Sequence, residues 1–172
     1  MDQSLDKKIK VYKNFLKKED FNYLKSILLS SRFPWYFSIV LNKYPIEKKE
    51  HNYQLEHTFY NNDQFFSNHI NIVEFFKSKI EWLTLVRVKA NLLIRTEKNI
   101  EHGMHVDFDS PNQLTTGIFY VNTNNGYTKF KDGTIINSEE NKYVEFKGDL
   151  MHTGSTCTDS KQRIVINFNY IK

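Results

Sequence analysis

Residues 163–171, Arg163-Ile164-Val165-Ile166-Asn167-Phe168-Asn169-Tyr170-Ile171, place Ile164, Ile166, Phe168 and Tyr170 at every second position, with Arg163, Asn167 and Asn169 between them. A period of two is that of a strand with one face in the core. Four earlier runs have the same β-rich character: VRVKANLLI (86–94), TTGIFYVN (115–122), TKFKDGTII (128–136) and KYVEFKG (142–148). Asn125-Gly126 and Asp132-Gly133 between and within them are tight-turn dipeptides, and Gly148-Asp149 breaks the chain again before His152. From Trp82 onward the chain therefore reads as antiparallel sheet.

Toward the N-terminus the periodicity changes. IKVYKNF (9–15) alternates like a short strand, and after Lys18-Glu19-Asp20 the residues Phe21, Leu24, Ile27 and Leu28 recur at helical spacing. Ser30, Ser31 and Pro34 end that helix, and Phe33-Pro34-Trp35-Tyr36-Phe37 reads as an extended stretch packed on the core. A second helix is predicted over Ile70 to Ile80, where Ile70, Val73, Phe76 and Ile80 share a face. Helices first and strands afterwards predict an α+β fold, a β-sandwich or barrel packed by N-terminal helices. The expectation is one domain over 1–172, with the N-terminal strand and helices at about 8–80 and the β-rich core at about 82–172.

Composition narrows the class. Only 3 Pro and 6 Gly stand against 14 Phe and 10 Tyr, which argues against a disordered or low-complexity chain. The one cysteine, Cys157, excludes an internal disulfide framework and a cysteine-based zinc cluster, and suits a reducing compartment. The charged N-terminus lacks the apolar run of a signal peptide, and no stretch approaches the ~20 apolar residues of a membrane span, so a cytoplasmic protein without a membrane partner is expected. The net charge of +4 gives weak support for a nucleic-acid partner. Lys7, Lys8, Lys10, Lys13, Lys17, Lys18, Lys48 and Lys49 read as solvated surface lysines.

Chemistry concentrates in Glu101-His102-Gly103-Met104-His105-Val106-Asp107-Phe108. On a strand, His105 and Asp107 present an imidazole and a carboxylate on one face. Met151-His152-Thr153-Gly154 supplies a second imidazole. Two His and one carboxylate form the facial triad that suits ferrous iron, leaving positions for a bidentate organic acid and dioxygen. HxD alone occurs by chance in many chains. Arg163, eleven residues beyond His152, sharpens it. A guanidinium on a buried strand needs an anion, and the distal carboxylate of 2-oxoglutarate fits two parallel charge-assisted bonds.

In the order His105-x-Asp107, His152, Arg163, the chain resembles the 2-oxoglutarate and Fe(II)-dependent dioxygenases, most closely the prolyl-4-hydroxylase-like branch with its small phage-encoded members. The likeness runs from about Trp82 to the C-terminus. It implies a double-stranded β-helix, or jelly roll, with the metal between two sheets. It implies Fe(II) as cofactor, 2-oxoglutarate and O2 as cosubstrates, and release of succinate and CO2 with hydroxylation or demethylation of the substrate. It also implies Tyr120, on the strand after HxD, and Asn167, four residues past the arginine, as cosubstrate contacts. The strand before HxD lacks the tyrosine many relatives carry there, and Asn91 stands as its substitute toward the cosubstrate. A phage-encoded chain would act in the host-cell cytoplasm.

The favoured substrate is a peptide or protein side chain such as proline. The alternatives are the same chemistry on a modified nucleobase or small molecule, and a non-catalytic cupin-like metal-binding module, which would have no use for Arg163. Strand alternation puts His102 on the face opposite His105, hence a loop residue or a group behind the ligands. His57 reads as a structural or surface histidine, and His51 and His69 as solvent-exposed. Asp109 in Asp109-Ser110-Pro111-Asn112 reads as a turn residue.

Overall fold

The computed structural model describes residues 9–40, 52–108 and 114–172. Lys7, Lys8, Lys48, Lys49, His51 and the 109–112 turn lie outside the described residues. In chain order the elements are β1 (Ile9–Tyr12), α1 (Lys18–Leu28), β2 (Tyr36–Ile39), β3 (Tyr53–Asn61), β4 (Gln64–Phe65), α2 (Asn71–Lys77), β5 (Thr84–Ile94), β6 (Thr115–Tyr120), β7 (Tyr127–Phe130), β8 (Ile135–Asn137), β9 (Lys142–Lys147), β10 (His152–Gly154) and β11 (Gln162–Ile171). The fold is α+β. An antiparallel sheet runs β1-β9-β6-β11-β5-β3-β2, with β4 added to β3, and a smaller sheet runs β10-β7-β8. No helix among the described residues is long and apolar enough to cross a membrane.

Strand alternation decides where the core lies. On β11, Ile164, Ile166, Phe168 and Tyr170 join Leu24, Leu28, Ile72 and Phe76 of the helices in the larger apolar cluster. The facing residues Arg163, Val165 and Asn167 line a cavity on the other side. On β5, Val88, Ala90 and Leu92 pack toward the helices, and Arg87, Lys89, Asn91 and Leu93 toward the cavity. A second cluster, with Ile118, Val144, Phe146 and Val165 from the large sheet and Phe130 from the small one, glues the two sheets together. Burial of such side chains stabilises by roughly 25 cal/mol per Å².

Gly117 on β6 marks a close approach to a side chain of the neighbouring strand β9. A Cβ there would lie 1.9 Å from Tyr143 Oη and 2.5 Å from its Cζ. Tyr143 cannot yield easily, since it is buried, stacked 4.4 Å from Phe15 and bonded to the Tyr170 hydroxyl at 3.2 Å. Gly117→Ala should lower unfolding free energy by about 3 kcal/mol in urea titration, and adding Tyr143→Phe should recover part of that loss.

Three expectations need correction. Phe33 is buried and Trp35 packs on the core, but Tyr36 and Phe37 are 62% and 68% exposed, because β2 is an edge strand and only its approach lies over the core. His69 is half-buried, its ring 5.2 Å from that of Phe33. Asn125-Gly126 is no hairpin turn, since β6 and β7 belong to different sheets. Asp132-Gly133 does turn the β7–β8 hairpin, with Gly133 at φ +90°.

Candidate metal centre and cosubstrate cavity

His105 and His152 meet because their backbones pair. The His105 N–H donates to the His152 carbonyl at 2.9 Å and the His152 N–H returns a bond at 3.0 Å, so the rings sit 4.9 Å apart. In each ring Nδ1 bonds the carbonyl two residues earlier, Gly103 at 2.9 Å and Leu150 at 3.0 Å. A carbonyl only accepts, so Nδ1 carries the proton and Nε2 keeps its lone pair. Burial holds His152 below the ordinary histidine range, against the pull of Asp107, and so keeps it neutral.

The segment holding His105 is not the regular strand that the sequence predicts. It makes isolated bridges, Glu101 to Ser155 and His105 to His152, so four steps on one side match three on the other. One extra residue is a bulge, and a bulge re-aims side chains. His102 thereby turns into the same cavity as His105 instead of the opposite face.

Asp107 follows His105 by two residues in the same irregular segment, and its side chain is tied to the large sheet. Its Oδ2 accepts from Asn169 Nδ2 at 2.8 Å and Thr116 Oγ1 at 3.3 Å, while Oδ1 lies 3.5 Å from Arg87 and 4.0 Å from His105 Nε2. Burial pushes this carboxyl up, but His152, Arg87, the Asn169 amide and His105 outweigh it and hold Asp107 at about 2. One ligand atom from each of His105, Asp107 and His152 lies within 4.8 Å of the others. Two imidazole nitrogens that no hydrogen bond occupies, with a carboxylate whose second oxygen is already tied back, fit a divalent first-row ion and leave coordination positions for other ligands.

Arg163, the second residue of β11, is 2% exposed. Its Nε donates to Ser138 Oγ at 2.7 Å and an Nη to Thr128 Oγ1 at 3.2 Å. No carboxylate among the described residues pairs with it. Gly126 gives its stem passage, since a Cβ there would stand 2.6 Å from Arg163 Cδ. Tyr120 lies beside the guanidinium, which is 5.7 Å from its ring, but its hydroxyl donates to Thr128 Oγ1 at 2.8 Å, and Thr128, not Tyr120, lines the cavity.

The cavity holds about 310 Å³ and is lined by the three ligand residues together with Arg163, Asn91, Asn167 and His102. Asn91 Oδ1, Asn167 Oδ1 and His102 Nε2 are buried without a hydrogen-bond partner. Unpaired buried acceptors beside a buried cation with no anion are deficits that a polar ligand can fill. The sequence did not single out Asn169, Thr116, Thr128, Ser138, Arg87, Lys89 or Glu56 for this site. Only strand parity carried a signal, since 87, 89 and 91 share a face with one another.

His102 is held down to about 4 by burial, then by Arg163 and His105. Its folded value lies below the unfolded one, so the unfolded chain binds the extra proton first and stability falls as pH drops from about 6.5 toward 4. From pH 7.5 to pH 5 this group alone should remove about 2 kcal/mol, and His102→Gln should flatten urea-unfolding stability over that window by a similar amount. His57 has no part in the cavity. Its nitrogens bond Pro34 O at 2.8 Å and Ser67 Oγ at 2.7 Å, a structural role.

No family model matches the sequence, and no curated protein matches it. Solved structures do resemble the fold. An oxidoreductase of the 2OG-Fe(II) oxygenase family from Burkholderia pseudomallei superposes with a TM-score of 0.62 at 12% identity, covering 89% of this chain and 78% of that one. The viral collagen prolyl hydroxylase of Paramecium Bursaria Chlorella virus-1 gives 0.54 at 15% identity, covering 96% and 91%. A prolyl hydroxylase from Trichoplax adhaerens, in complex with a hypoxia inducible factor peptide fragment, gives 0.57 at 10% identity, covering 95% and 83%. At these identities the likeness establishes the fold, the double-stranded β-helix.

Proposed function

We propose that the protein is a 2-oxoglutarate- and O2-dependent Fe(II) hydroxylase that acts on a peptide or protein side chain such as proline and releases succinate and CO2. The observation that carries this is Arg163, a buried guanidinium with no carboxylate partner among the described residues, lining the same cavity as His105, Asp107 and His152. Bound iron would supply oxidative decarboxylation of the 2-oxo acid and transfer of an oxygen atom to a substrate C–H bond.

The chain's own groups would do the rest. His105 and His152 present Nε2 because their Nδ1 protons are spent on backbone carbonyls. Asn169 and Thr116 hold one oxygen of Asp107 and so aim the other. Arg163 would take the distal carboxylate of the cosubstrate, with Thr128 beside it and the Ser138 hydroxyl fixing the guanidinium from behind. Asn91 and Asn167 line the same cavity, each with a buried Oδ1 that has no hydrogen-bond partner. Leu93, Ile118 and Val165 keep that part of the cavity apolar. Among the neighbours, a collagen prolyl hydroxylase and a prolyl hydroxylase with a bound peptide support a peptide substrate.

The test is a succinate-release screen with Fe(II) and 2-oxoglutarate over proline-containing peptides, methylated oligonucleotides and free amino acids. Peptide-stimulated succinate is the expected outcome. Stimulation by the oligonucleotides alone would move the substrate to a nucleobase. Folded protein that shows neither succinate nor the visible charge-transfer band of the anaerobic Fe(II)–2-oxoglutarate chelate would refute the oxygenase itself.

A further inference from the structure

The cavity wall away from Arg163 carries charge that neither a metal nor 2-oxoglutarate would use. With Asp107 and Arg163 set aside, the charged residues lining it, among the described residues, are Arg87, Lys89 and Glu56, two cations against one anion. On β5 the face that would most simply continue the apolar wall of Leu93 instead bears two long cationic side chains, 20% and 16% exposed.

Each is held in place with donors to spare. Arg87 gives Nε to Asn169 Oδ1 at 3.1 Å, lies over the Phe108 ring at 4.6 Å and has one Nη 3.5 Å from Asp107 Oδ1. Lys89 gives one of its three protons to Glu56 at 2.8 Å. Burial pushes Glu56 up, but Lys89, Ser38 and Arg87 hold it below the usual carboxylate range, so its negative charge is already committed. Asn91, 6% exposed with an unpartnered Oδ1, and Asn167, the cross-strand partner of Lys89, flank the pair. The wider balance points the same way. A divalent ion and Arg163 contribute three positive charges, and a dicarboxylate with Asp107 three negative ones, so the remaining excess of one positive charge belongs to the Arg87–Lys89–Glu56 group.

We infer that the substrate carries a carboxylate, which Arg87 and Lys89 bind at this wall. The inference rests on the oxygenase reading above and names the chemistry that site selects. Two sources share that chemistry: an acidic residue beside the modified one in a peptide, and a free amino acid. Charge-assisted bonds to a desolvated anion are about twice as strong as neutral ones and discriminate against an amide of the same shape.

Calorimetry under nitrogen on the protein loaded with Mn(II) and 2-oxoglutarate tests it with two probe pairs. The first is blocked Ala-Pro-Asp against Ala-Pro-Asn, and the second is proline against prolinamide. At least one acid should bind about tenfold or more tighter than its amide. A gap in the first pair identifies a peptide source, and a gap in the second a free amino acid. Lys89→Gln and Arg87→Gln should each shrink the gap toward one. Lys89→Gln remains decisive if the Arg87 variant folds poorly, because Lys89 bonds none of the three metal-site residues. The 2-oxoglutarate isotherm is recorded first on every protein. If wild type gives none, the oxygenase reading falls and takes this inference with it. If wild type gives one and no acid outbinds its amide, bound weakly or not at all, the carboxylate inference alone is overturned. It is equally overturned if both variants keep the gap.

Discussion

Arg163→Met is expected to weaken 2-oxoglutarate binding by about a hundredfold or more while leaving the melting temperature of the ligand-free protein within about 3 °C of wild type. The two halves have one cause. A distal carboxylate inside the cavity would lose its only guanidinium partner and keep its desolvation penalty, which is worth about 3–5 kcal/mol. The free protein loses much less, because among the described residues the guanidinium has only the hydroxyls of Ser138 and Thr128 as hydrogen-bond partners, and a flexible apolar chain can fill the passage beside Gly126. Calorimetric titration of 2-oxoglutarate into the Mn(II)-loaded protein and a thermal melt measure both. If stability and affinity collapse together, Arg163 is a structural residue.

Asp107→Ala, and His105→Ala with it, should reduce succinate formation to background and remove Mn(II) binding. Asn169→Ala is the informative companion. It touches no metal, yet it releases Asp107 Oδ2 and the Nε of Arg87 together. As a positioning residue it should lower metal affinity by about 10–100-fold, measured directly by Mn(II) titration. Asn169→Asp would set a carboxylate against Asp107 and should weaken binding at least as far, whereas an active, metal-binding Asp107→Ala protein contradicts the triad outright.

Much of this was legible from one residue in two. The parity of 163–170 already sorts Ile164, Ile166, Phe168 and Tyr170 from Arg163 and Asn167, and the structure keeps that division. Short helices at the predicted places follow from Phe21, Leu24 and Leu28 and from Val73 and Phe76, which bury the faces that their spacing marks. What stayed hidden depends on a second segment. The bulge at His102 exists only because 101–105 is one residue longer than its partner 152–155, and no local pattern records a partner's length. Thr128 and Ser138 matter because of where a long side chain from β11 ends, so their own neighbours in sequence say nothing of it. The charges at 56, 87 and 89 look like the solvated face of ordinary strands until the fold sets them in one cavity with the candidate ligands. His69 differs from its expected exposure for the same kind of reason, the approach of the distant Phe33 ring.

The three candidate ligands do not share a support. His152 belongs to the three-stranded sheet, and His105 is laced to it by main-chain bonds, whereas Asp107 is moored to the eight-stranded sheet through Asn169 and Thr116. An ion bound by all three would act as a rivet between the layers. Its affinity would then gauge how tightly the two leaves are closed, and any substitution in the interleaf packing around Phe130 and Phe146 would register first as a leak of metal, well before the chain lost its shape.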